Sequence, residues 1–303
     1  MKLYILLMCC VLFWSGNFVI ARFVHDDIQP IELVFFRWFG VLIALSPLLV
    51  IHRKRIFNSI LNNFIIMMTY ALLGISGYNS FVYLGLQNTT ATNALLINSS
   101  TPIMIVFLAA IIFKEKISKM QISGIILSTL GVIFLVLQGD FTKIINLEFN
   151  QGDIWIVIAG FSWALYSVLM KFKPKDLHGL EFVAAIVLLG TIVLFFFYIG
   201  FGYGVSSAIN LVSNNYLVVL YMVIFPSILS YIFWHKGIAE IGADKTGQFT
   251  HLMPIFGSFL AFVFLNETLE FYHLFGVVLI GSGIYLSLFL NTKKIKKTNT
   301  DIS

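Results

Sequence analysis

Residues 85–131, GLQNTTATNALLINSSTPIMIVFLAAIIFKEKISKMQISGIILSTLG, recur without a gap at 237–283, GIAEIGADKTGQFTHLMPIFGSFLAFVFLNETLEFYHLFGVVLIGSG, at an offset of 152. Gly85 falls on Gly237, Ala91 on Ala243, Pro102 on Pro254 and Phe107 on Phe259. Ala109 falls on Ala261, Glu115 on Glu267, Gly124 on Gly276 and Gly131 on Gly283. Apolar bias inflates any such match. The shared residues, however, are mostly glycine, proline and glutamate, whose roles are backbone geometry and charge. A fixed internal offset marks a repeat architecture.

The rest of the chain agrees with a membrane setting. Of its 303 residues 59% are hydrophobic and 11% charged, and the mean hydropathy is +0.94. A soluble domain cannot hide that much apolar surface, so the composition predicts an all-α integral membrane protein. Spans of about 20 residues are expected near 3–23, 31–51, 63–85, 90–113 and 119–138. A second set is expected near 152–172, 179–200, 215–236, 243–265 and 270–290. The polar loop 139–151 divides the chain into a first repeat, 1–138, and a second, 152–291, with a basic tail at 292–303. The first apolar stretch lacks a small-residue cleavage site and reads as a span rather than a signal peptide.

With the N-terminus inside, the outer segments hold only Arg22 and Lys143, and Arg37 lies within a span. All the other Lys and Arg of the 19 fall in inner loops or the tail. The positive-inside rule therefore puts both termini in the cytoplasm of a cell that holds the protein in its inner or plasma membrane. The net charge of +5 reflects this orientation, so no nucleic-acid partner is expected. Five spans per repeat is an odd number, so the second repeat enters from the opposite side. Inverted repeats are the plan of many secondary transporters, with sites near the bilayer midplane.

Two prolines, Pro102 and Pro254, fall mid-span. Each removes a helical hydrogen bond and is expected to kink its helix. Their polar neighbours, Asn98 and Ser99 in one half, Gln248 and His251 in the other, either patch the freed backbone groups or line a central cavity. Trp14, Asn17, Tyr78, Asn79, Tyr83, Trp163, Tyr166 and Tyr231 interrupt apolar spans. They are either interface anchors and packing residues or a solute lining. Arg37 is a buried functional charge or snorkels to the interface near Glu32. His251 is a titrating group or a neutral histidine bonded to a neighbour. The glycine stripes, Gly124 with Gly131 and Gly276 with Gly283, read as close helix packing, with homodimerisation as the lesser use. Cys9 and Cys10 carry no metal spacing or disulfide framework. No phosphate loop and no hydrolase motif is present. Hence no catalytic residues, metal or cofactor are expected.

These residues resemble the drug/metabolite transporter superfamily, of the kind built from two EamA domains. The first half carries the likeness at 13–18 (FWSGNF), Pro30, Arg37, Ala91, Pro102, Glu115, Gly124 and Gly131. The second carries it at 152–153 (GD), 163–167 (WALYS), 242–243 (GA), Pro254, 267–269 (ETL), Gly276 and Gly283. The resemblance implies alternating access around a central cavity, and a structural or gating role for Glu115 and Glu267. Asn266 stands where many relatives have glycine. The expectation is a secondary carrier of a small organic solute, exporting amino acids or related metabolites. The alternatives are a carrier of a nucleotide sugar or adenosyl cofactor, a membrane-embedded enzyme, or a scaffold.

Overall fold

The computed structural model describes residues 1–24, 28–89, 91–114, 117–145, 150–204, 215–265 and 270–289. Glu115, Glu267, part of the 139–151 loop and the tail 292–303 lie outside the described residues. Among the described residues the regular structure is all helical.

Helix occupies each of the ten predicted segments. We label them α1 (Lys2–Phe23), α2 (Pro30–Ile51), α3 (Phe64–Asn88) and α4 (Ala91–Asn98 and Thr101–Phe113). The fifth to seventh are α5 (Lys119–Val136), α6 (Gln151–Leu169) and α7 (Gly179–Gly200). Then come α8 (Asn215–Ile241), α9 (Ala243–Gly247, Gln248–Leu252 and Met253–Leu265) and α10 (Phe271–Phe289). Nine helices among the described residues are long and apolar enough to cross a membrane; α9 is not one of them. It is assembled from an α-turn, a 3-10 stretch and a longer α-helix.

Each proline falls in the first turn of an α-helical segment. Pro102 opens the second part of α4 after a turn at Ser99–Ser100, and Pro254 opens the last part of α9. In the first turn the missing N–H has no partner to lose, and the fixed φ already suits a helix. Regular α-helical bonding thus lapses at the polar segments, as a turn in α4 and as a 3-10 stretch in α9.

The halves pack with two-fold logic. Contacts of α1 with α8 and α9 are matched by contacts of α6 with α3 and α4, and α2 lies on its equivalent α7. The most extensive helix pair joins α5 to its equivalent α10. A Cβ on Gly124 would sit 2.5 Å from the Gly283 carbonyl, and one on Gly276 would sit 2.8 Å from Leu135. A Cβ on Gly131 would sit 2.8 Å from the Ile280 nitrogen. As numbering rises along α5, the partners on α10 fall, so these two repeat-equivalent helices run antiparallel. Only glycine lets backbones come this close. The two glycine stripes therefore face each other within one chain.

The third helix of each repeat carries a wide turn. Ala71–Gly77 in α3 and Val223–Leu229 in α8 are π-helical, at the repeat offset of 152. In such a turn the bonding step lengthens and carbonyls fall out of register. Side chains supply the lost donors: Ser227 Oγ donates to Met222 O at 2.7 Å, beside Pro226, which has no N–H to give. Asn79 Nδ2 donates to Ile75 O at 3.0 Å in the other repeat.

A candidate central solute site

The wide turns aim one carbonyl each at the seam. Gly74 and Pro226 occupy equivalent repeat positions. The Pro226 carbonyl accepts from Trp14 Nε1 at 3.0 Å and Arg37 Nη2 at 3.2 Å. The Gly74 carbonyl accepts from the Tyr231 hydroxyl. Gly74 also leaves room for the Tyr166 ring, whose atoms lie 2.5 Å from where a Cβ would stand.

Arg37 is 2% exposed and turns inward. Its Nε donates to Ser227 Oγ at 2.6 Å. Its Nη1 reaches Asn79 Oδ1 and the Tyr83 hydroxyl, both at 3.0 Å, and Asn17 Oδ1 at 3.3 Å. Asn79 thus ties the guanidinium to the α3 wide turn, and Tyr83 in turn donates to Asn17 Oδ1 at 3.0 Å. Every acceptor is neutral. Among the described residues no carboxylate pairs with this cation. The snorkelling alternative, with Arg37 near Glu32, is not what the structure adopts.

Opposite the guanidinium stands an aromatic group centred on Trp163. Its ring lies 5.1 Å from that of Trp14, edge to face, and 4.9 Å from Tyr78. Tyr166 stacks on it at 5.1 Å, and Tyr231 and Trp234 lie at 5.6 Å. Each such pair adds about 0.5–1.5 kcal/mol beyond burial, which makes this a firm wall. The electron-rich ring faces attract cations. Between wall and guanidinium is a cleft of about 10 Å³, lined by Trp14, Asn17, Arg37, Tyr78, Asn79 and Trp163 among others. That is about the space of one water, so the cleft is closed.

The remaining predicted lining residues form a separate group at the α4–α9 break. His251 Nε2 lies 3.0 Å from Ser99 O, and Nδ1 lies 2.7 Å from Ser128 Oγ. A carbonyl only accepts, so Nε2 carries the proton and Nδ1 accepts from Ser128. His251 and Ser99, equivalent in the repeat, thus bond to each other across the halves. Asn98 Nδ2 meets Met253 Sδ at 3.4 Å. Gln248 Nε2 donates to Asp244 O at 3.4 Å, and its Oε1 has no partner among the described residues. This group does not line the cleft.

Sequence reading left out Ser227, Pro226 and His235. His235 Nε2 lies 2.6 Å from the Tyr166 hydroxyl. The proline in α8 was a visible signal for the wide turn; α3 has no proline and offered none.

Fold and site together define a polytopic helical membrane protein of two inverted repeats, with a polar, aromatic seam between them. The EamA-like transporter family matches residues 1–137 and 150–289, and the chain belongs to that family; it is a membrane transporter. It is 28% identical over 285 residues to the uncharacterized transporter YyaM of Bacillus subtilis, covering 94% of this chain and 92% of that one. It is 24% identical over 289 residues to a Salmonella typhimurium protein named "Probable amino-acid metabolite efflux pump", covering 92% of both. A solved crystal structure superposes with a TM-score of 0.70 at 16% identity, covering 94% of this chain and 96% of the other, and shares the fold.

Proposed function

We propose that the chain is a secondary exporter of amino acids or related small carboxylates across the cytoplasmic membrane, with no chemical step of its own. The observation that carries this reading is Arg37: a buried guanidinium bonded only to neutral acceptors, across a closed cleft from an aromatic wall. A charge at membrane depth is costly and marks function by default. A carboxylate would supply the missing countercharge through the planar fork, and an ammonium would face the Trp163 group. A polyphosphate would call for several cations, and among the described residues Arg37 is the cation lining the cleft. The Salmonella relative's name agrees with this solute class. Opening the cleft alternately to either side, biased by solute, would carry it across.

The test is flux in proteoliposomes loaded with single amino acids and their carboxamides. Native protein should move an acid and leave its amide, and Arg37→Gln should lower that flux by about tenfold or more. Equal flux of acid and amide, or full flux in the variant, would remove the reading.

A further inference from the structure

A cavity larger than the central cleft lies elsewhere in the molecule. It has a volume of about 640 Å³ and lies among the ends of α4, α6 and α8 and the starts of α7 and α9. That is the size of a small-molecule site. Its walls have two characters. Phe113, Phe182 and Ile232 supply apolar surface, and Lys171, Lys173 and Lys236 bring cations to the same walls, with Lys171 over the Phe113 ring and Lys173 over that of Phe182.

Lys173 is the informative lysine. It is half-buried, and burial pulls its ammonium below the ordinary lysine value of 10.5. It donates to Leu177 O at 2.5 Å and stands 5.1 Å over the Phe182 ring. The two carboxylates that act on it, Asp176 and Glu181, are committed elsewhere. Asp176 accepts from Ser59 at 3.1 Å, and Glu181 pairs with Arg55 at 2.7 Å. The cavity's own carboxylate, Asp244, accepts from Gln121 at 2.8 Å. Lys173 is therefore a cation facing a ligand-sized space without a carboxylate in ion-pair range among the described residues. His235 also lines the cavity, and its partner Tyr166 stacks on Trp163 of the central wall. A chain of contacts, His235 to Tyr166 to Trp163, thus links the two linings.

We propose that this cavity is a second solute site, taking a monocarboxylate with an aromatic or branched apolar body before it reaches Arg37. Lys173 holds the charged end, and Phe113 and Phe182 hold the body. The proposal rests on the transport reading of the central cleft and narrows its solute class. Once Tyr166 releases His235, the solute exchanges one cation for the next.

The test uses the full chain in phosphatidylcholine nanodiscs, titrated calorimetrically with 3-phenylpropionate, its amide and inorganic phosphate. The acid should bind and shield Lys173 from reductive methylation, and the amide should bind about tenfold more weakly. Lys173→Gln should cost the acid about tenfold, and Lys173→Arg should recover most of it. Arg37→Gln should leave this binding unchanged while flux falls. Equal binding of acid and amide overturns the site, as does unchanged affinity in a monodisperse Lys173→Gln sample. Full competition by phosphate would reduce it to a general anion patch. Loss of binding in phosphatidylglycerol nanodiscs would assign it to lipid headgroups. Binding lost with Arg37→Gln but not Lys173→Gln rejects this site and keeps the central one. Flux retained in Arg37→Gln with binding lost in Lys173→Gln rejects the central one instead.

Discussion

Arg37 and His251 are both buried polar residues in apolar helices, and their surroundings give them different work. The guanidinium has five N–H donors in a fixed plane, and Ser227, Asn17, Asn79, Tyr83 and the Pro226 carbonyl meet that plane. Lysine offers a point charge with three donors and cannot span them. Arg37→Lys should therefore lower flux by about tenfold while the protein still folds, which liposome transport and size exclusion would check together. His251 joins Ser99 to Ser128 with both ring nitrogens. Removing it takes the donor from the buried Ser99 carbonyl, at about 1–3 kcal/mol, while Ser128 can turn to the Gly124 carbonyl. His251→Ala should lower the unfolding temperature in a detergent thermal ramp and leave solute affinity unchanged. Residue type told little of this in advance. An apolar helix in lipid has no solvated face to fix its rotation, so whether Arg37 turned toward the seam or the interface stayed open until its partners were in place.

At the scale of elements, the glycine stripes are the sharpest test of packing. A side chain on Gly283 would meet the Ser128 backbone and the Gly124 carbonyl, atoms that cannot swing aside. Gly281, two residues earlier on the same helix, has nothing within 4 Å of where a Cβ would stand. Gly283→Val should thus cost about 1–3 kcal/mol by overpacking, whereas Gly281→Ala should be neutral or slightly stabilising by helix propensity. Thermal unfolding of both variants checks the contrast. The stripes were legible because glycine repeating every second turn is a spatial statement. The wide turns were not. Residues 71–77 read as ordinary apolar helix, because a change in bonding step leaves no mark on composition. Pro226→Ala returns an N–H to α8 and allows a regular turn. It should draw the Pro226 carbonyl away from Trp14 and lower flux, measurable in the same liposomes.

For the molecule as a whole, the repeat offset predicted the architecture well. The Gly, Pro and Ala pairs separated by 152 residues fall in helices that pack as equivalents, most visibly α5 against α10. What the offset could not convey was which residues meet at the seam. Trp14 and Trp163 are 149 apart in sequence and 5.1 Å apart in space, while His251, read as lining, sits in a separate bonded group. The charge bias of the loops predicts the direction of insertion. A reporter fused after Lys114 or Lys175 should report the cytoplasm, and one fused after Asp140 the opposite side; the reverse pattern would invert the orientation. The paired wide turns also speak to history. An irregularity found twice at one spacing is most simply a single irregularity copied, so the unduplicated ancestor already possessed it. The two copies now serve different partners, Trp14 and Arg37 on one carbonyl and Tyr231 on the other, so one inherited bend does two kinds of work.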